Sequence, residues 1–114
     1  MRKLVIKGDR GTGKTTMLLL MMKQAVEQGK SCLFVTKYRN KVGLMKKKYE
    51  DLGGKLINKA FFSSLLIGEC HVDMLFVDEI QMFTKIELTE LYCSIVNNDQ
   101  GVVYESMSEE EDEK

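Results

Sequence analysis

Apolar residues fall along this chain in two alternating kinds of block. Short runs such as LVIK (Leu4–Lys7), SCLFVT (Ser31–Thr36) and VDMLFV (Val72–Val77) have the length and the β-branched and aromatic content of buried strands. Between them lie longer stretches with helical spacing. Gly13–Gln28 is apolar through most of its first half and stops at Gly29, where a glycine suits a helix end. Arg39–Leu52 places Val42, Met45, Tyr49 and Leu52 on one stripe and ends at Gly53-Gly54. Thr84–Asn98 opens on a capping box, Thr84 with Glu87, and carries Leu88, Leu91, Tyr92 and Ile95 on one face. Lys55–Ala60 is a further strand candidate, FFSSLLIG a short helix or loop, NNDQG a turn, and Gly101–Glu105 a last strand.

Strands alternating with helices predict an α/β fold of three layers, with a mostly parallel central sheet of four or five strands between helices. Residues 1–104 read as one domain. Residues 105–114, ESMSEEEDEK, have no apolar periodicity and a block of like charge, so they read as an acidic, disordered tail.

Composition agrees with one soluble domain. The chain has 114 residues, 44% hydrophobic and 30% charged, enough to bury about two thirds of its unfolded surface. The longest apolar run, Met17–Met22, is far too short to span a bilayer, and the N-terminal MRKLVIKGDR lacks the apolar core of a secretory signal. No membrane role and a cytoplasmic location are the expectation. Cys32, Cys70 and Cys93 are widely spaced and set among apolar residues, which predicts buried thiols; adjacent Cys70 and His71 have no second pair at zinc-finger spacing. The net charge of zero hides a gradient: residues 1–59 carry 15 Lys/Arg against 4 Asp/Glu, residues 60–104 carry 1 against 7, and residues 105–114 carry 1 against 6.

The chemistry concentrates in two segments. GDRGTGKTT (Gly8–Thr16) fits G-x-x-x-x-G-K-[ST] between a predicted strand and a predicted helix. Glycines Gly8, Gly11 and Gly13 let the backbone wrap a phosphate chain, and its N–H groups with the helix end stabilise the charge. Lys14 reaches the β- and γ-phosphates and the Thr15 hydroxyl takes part in Mg²⁺ coordination. Asp9, Arg10, Thr12 and Thr16 complete the binding segment, although the motif does not dictate their side chains. LFVDEIQMF (Leu75–Phe83) ends a buried strand on two acids. Asp78 suits the outer sphere of Mg²⁺, Glu79 suits a base for an attacking water or acceptor hydroxyl, and Gln81 either reports on the γ-phosphate or faces solvent. ATP and Mg²⁺ are the implied ligands, since no N-K-x-D segment reads guanine.

At these residues the chain resembles the P-loop ATPases with an additional catalytic glutamate, and within them the first RecA-like domain of superfamily 1 and 2 helicases. The resemblance spans about residues 2–106. It implies Lys14 and Thr15 at phosphate and metal, Asp78 at metal, and Glu79 as base. LFVTKYRN (Leu33–Asn40) is similar to the helicase segment that touches a nucleic-acid backbone, which implies Thr36, Lys37, Tyr38 and Arg39, with Lys41 beside them, as contacts to DNA or RNA. The implied function is a minimal helicase-like ATPase of the kind that serves DNA metabolism in phages or mobile elements. Two alternatives stay open: a nucleotide-gated binding module with little turnover, and a small nucleoside kinase, because DEIQMF is also similar to the acidic segment of tetrameric thymidine kinases. The chain shows no second RecA-like domain and no arginine after Arg39. Completion of the site by a partner protein or a second copy is therefore expected.

The cationic run Thr36–Lys48 has six Lys or Arg in thirteen residues and one aromatic, which favours phosphate-rich partners. Its alternative is a solvated helix face with Lys46–Glu50 and Lys47–Asp51 pairs. A RecA-like strand order would insert the last strand between the P-loop strand and the strand ending in Asp78. The P-loop strand then becomes a sheet edge, an apolar template that proteins normally cover.

Overall fold

The computed structural model describes residues 1–9, 13–55, 59–65, 71–95 and 101–108. Five strands, β1 (Arg2–Gly8), β2 (Cys32–Val35), β3 (Ala60–Ser63), β4 (Met74–Val77) and β5 (Val102–Ser108), form one sheet in the order β1-β5-β4-β2-β3. Every pairing is parallel. The last strand is inserted between β1 and β4, as the RecA-like order requires, and β1 is an edge of the sheet.

Three helices cover the faces: α1 (Lys14–Glu27), α2 (Val42–Asp51) and α3 (Lys85–Tyr92). Successive residues of a strand point to opposite faces, and the two cores follow that alternation. Phe34 and Phe76 join Leu18, Leu19, Met22, Met45 and Tyr49 under α1 and α2. Leu33, Val35, Leu75, Val77 and Val103 join Leu91 and Ile95 under α3. Strands that are apolar on both faces are what a sheet covered by helices on both sides demands. Among the described residues, no helix is long and apolar enough to cross a membrane.

Helix ends match the chemistry of their residues. Gly13, before α1, lies at φ 85°, and Gly29 and Gly53 follow α1 and α2 at φ 90° and 94°, a region open to glycine at little cost. The Thr84–Glu87 capping box is fully formed.

Several boundaries differ from the sequence expectation. Of the strand expected at Lys55–Ala60 and the helix or loop expected from Phe61, residues 56–58 and 66–68 lie outside the described residues; the described strand is Ala60–Ser63. Being a short edge with half-exposed side chains, it shows neither clean alternation nor a continuous apolar run. The helix expected to reach Asn98 stops at Tyr92; the chain turns at Cys93-Ser94, and Ile95 makes an isolated bridge to Val72. Residues 105–108, read as the start of the tail, are the second half of β5. Glu105, Ser106 and Ser108 are buried there, held by hydrogen bonds that an apolar pattern does not register. Residues 109–114 lie outside the described residues, as does Cys70. Cys32 is buried as expected, but Cys93 is exposed because the helix has already ended.

Candidate nucleotide site

The parallel sheet aims the C-terminal ends of its strands at one rim, where open α/β sheets bind ligands. β1 delivers Gly8 to that rim, and the N-terminus of α1 starts there at Lys14. Arg10, Gly11 and Thr12 lie outside the described residues. Lys14 is buried to 6% exposure, and its ammonium donates to the Asp9 carbonyl at 2.6 Å. The lysine is thus folded over the loop it is expected to share with phosphates. Thr16, one residue further on, is exposed on the first turn of α1.

β4 delivers Asp78 into a network. Thr15 Oγ1 donates to Asp78 Oδ1 at 2.9 Å and lies 3.2 Å from Oδ2. Ser106 Oγ, from β5, donates to Asp78 Oδ1 at 2.8 Å and accepts from the Glu79 backbone N–H at 2.7 Å. Burial pushes the Asp78 carboxyl above its ordinary range; the hydrogen bonds from Ser106 and Thr15 and the charge of Lys41 pull it back, while Glu79 adds to the rise. A buried carboxylate beside a threonine hydroxyl is a donor set that suits Mg²⁺, which takes one or two protein oxygens and fills its octahedron with phosphate and water. Thr15 and Asp78 are the residues that would hold it.

Glu79 sits at φ 61°, ψ 65°, a left-handed conformation uncommon outside glycine, asparagine and aspartate. The turn lifts its side chain from the strand direction onto the rim. Its carboxylate accepts from Gln81 Nε2 on one oxygen and from Ser108 Oγ at 3.0 Å on the other, and the Ser108 N–H donates to Gln81 Oε1 at 3.2 Å. Gln81 therefore does not simply face solvent. It closes a ring with Ser108 that fixes the direction of Glu79. Sequence reading missed Ser106 and Ser108; the signal was the small hydroxyls at alternate positions of ESMS, which gain meaning only once β5 is known to lie beside β4.

The five residues expected at nucleic acid fare unevenly. Thr36 is buried. Lys37 bonds Glu87 at 2.8 Å and lies 5.6 Å over the Phe83 ring, so it fastens the β2 rim to α3. Arg39 is exposed and apart from the rim cavity, whereas Thr36, Lys37, Tyr38 and Lys41 all line that cavity, a space of about 370 Å³ reaching from Thr15, Asp78 and Glu79 to α2.

With this geometry in view, the sequence profile of the AAA domain family matches residues 2–112. The chain belongs to the AAA domain family. Its fold is also that of the C-terminal domain of a possible DNA helicase from Lactobacillus plantarum WCFS1, with a TM-score of 0.63, 9% identity, and coverage of 94% of this chain and 73% of that one. At such identity the likeness speaks for the fold. No curated protein matches this AAA domain in sequence. The family confirms the P-loop NTPase reading, which implies nucleotide binding.

Proposed function

We propose that this AAA domain binds ATP with Mg²⁺ and hydrolyses it in the service of nucleic-acid work, as a minimal helicase-like module of DNA metabolism. The observation that carries the reading is the Thr15–Asp78–Ser106–Glu79 network, which puts a metal-binding pair and a positioned carboxylate side by side at the end of the phosphate-binding loop. Lys14 and the α1 N-terminus hold the phosphates. Thr15 and Asp78 would hold Mg²⁺, which when bound would offset phosphate charge. Glu79 accepts the proton of the water that attacks the γ-phosphorus as the bond to the β-phosphate oxygen breaks, leaving ADP and phosphate. For that step its carboxylate exchanges a hydrogen bond from Gln81 or Ser108 for one from water.

The exposed edge of β1, with Leu4 and Val5 half-exposed, suits a second copy or a partner protein. Steady-state hydrolysis by the purified chain, with and without single-stranded DNA, tests the proposal. Turnover that DNA stimulates, that Lys14→Ala abolishes, and that Glu79→Gln lowers by about 10²–10⁴-fold is expected. ATP binding through Lys14 with no turnover under either condition would instead make the domain a nucleotide-gated binding module.

A further inference from the structure

The cavity at the rim is larger than the ATP reading uses. Thr15, Asp78 and Glu79 form only its inner wall. Thr36 and Lys37 line it at the end of β2 and Gln81 beside Glu79, and the outer wall is Tyr38 and Lys41 from the turn before α2, Leu44, Met45 and Lys48 from α2 itself, and Met82 from the turn after Glu79. Phosphoryl transfer runs in line. With the metal pair marking the β- and γ-phosphates and Glu79 marking the attacking side, this outer wall faces the space beyond the γ-phosphate, across the site from β1.

The chemistry of that wall is mixed in a specific way. Among the described residues, Lys37 and Lys47 are in ion pairs, with Glu87 and Asp51, while Lys41 and Lys48 form none. The Lys41 ammonium lies 5.7 Å from the Tyr38 ring centroid. Tyr38, Leu44 and Met82 are 42%, 49% and 37% exposed, three large apolar side chains left in water around a single opening. A volume of about 370 Å³ is at the small end of ligand sites, which run from about 300 to 1,000 Å³. Two free ammoniums, a flat aromatic and two flexible apolar side chains at this scale match a phosphate attached to a planar base.

Resting on the assignment of Glu79 to the γ-phosphate end, we propose that this cavity is a second nucleotide subsite. It takes one phosphorylated nucleoside unit, with the base against Tyr38, Leu44 and Met82 and the phosphate met by Lys41 and Lys48. The unit is either one nucleotide of a single strand or a free mononucleotide; both present the same chemistry. Base stacking on an aromatic and a cation at the phosphate are the usual means of holding a single strand. The place of the subsite gives such a ligand direct contact with the segment that carries Glu79 and Gln81, and so a physical route to turnover.

Fluorescence anisotropy of fluorescein-labelled oligo(dT) on the full chain reads the subsite, and titration with the fluorescent analogue mant-ATP reads the P-loop site separately. Lys48→Glu and Tyr38→Ala are each expected to weaken oligo(dT) binding by about tenfold, and Lys47→Glu, on the same helix but outside the cavity, by less than about twofold. Displacement of the label by dTMP as well as by unlabelled oligo(dT) would identify a free mononucleotide as ligand; displacement by the oligonucleotide alone would identify a strand. Either supports the subsite. Equal losses for Lys47→Glu and Lys48→Glu would mean diffuse attraction and overturn it. So would absence of oligo(dT) and dTMP binding, displacement by poly-glutamate as effective as by oligo(dT), or a parallel loss of mant-ATP affinity in Lys48→Glu and Tyr38→Ala. Failure of the unmodified chain to bind mant-ATP would defeat the ATP reading while leaving the oligo(dT) arm legible.

Discussion

Asp78 is where this molecule sets stability against function most directly. Its carboxylate is 6% exposed and its pKa is raised, first by burial. Above that raised folded pKa the charged form carries its full desolvation cost. As pH falls through it, the native state takes up a proton that the unfolded chain, with an ordinary value near 3.8, does not yet bind, so this contribution makes the fold more stable toward acid. Asp78→Asn should therefore raise the melting temperature of the nucleotide-free protein at neutral pH, with a gain that shrinks as pH is lowered, and should weaken Mg²⁺-dependent ATP binding. Melting curves across a pH series check this; a neutral-pH loss of stability would show that the hydrogen bonds from Thr15 and Ser106 outweigh the burial cost. The residues legible in sequence here were those whose chemistry is tied to spacing along the chain: Lys14, Thr15, Asp78 and Glu79. Ser106 and Ser108 were not, because their partners are about 27 residues away in sequence and adjacent only through β5–β4 pairing.

The elements were readable where a period or a cap announced them, and unreadable where polar contacts replaced apolar ones. α1 ends near its predicted limits because glycines stand where left-handed backbone is required, and α3 begins where Thr84 and Glu87 satisfy each other's N–H groups. Its far end was overestimated because Ile95 keeps the apolar stripe going while the backbone has already turned to meet Val72. α3 is short, so its start matters. Glu87 serves both the cap and Lys37, whose ammonium, first among the causes, holds its carboxyl below the ordinary range. Thr84→Ala should cost about 1 kcal/mol of stability, measured by urea unfolding, and should loosen the tie between α3 and the β2 rim. A change within about 0.3 kcal/mol would mean that the Lys37–Glu87 pair holds the helix start unaided.

At the scale of the whole molecule, the sheet order decides which charges act together. The sequence places the basic run Thr36–Lys48 after β2, and β2 lies beside β4, so that run is brought to the rim that carries Asp78 and Glu79. From sequence its six Lys and Arg read either as one patch for phosphate-rich partners or as a solvated helix face with Lys46–Glu50 and Lys47–Asp51 pairs. The fold divides them: Lys37, which also lines the cavity, is paired with Glu87, and Lys47 with Asp51; Arg39 and Lys46 stand outside the cavity; Lys41 and Lys48 line it with no ion pair among the described residues. If the proposed subsite holds a strand, that division sets the salt dependence of its binding. Each phosphate neutralised lowers the slope of log K against log salt by about 0.7 for a single strand. The one phosphate that Lys41 and Lys48 share gives a slope of about −0.7, and six phosphates met by all six cations about −4. A titration of oligo(dT) across salt concentrations separates the two. The shallow slope is expected because a cation already paired with a carboxylate gains little by exchanging it for a phosphate, so charge that is prominent in the sequence contributes only where the fold leaves it unpaired.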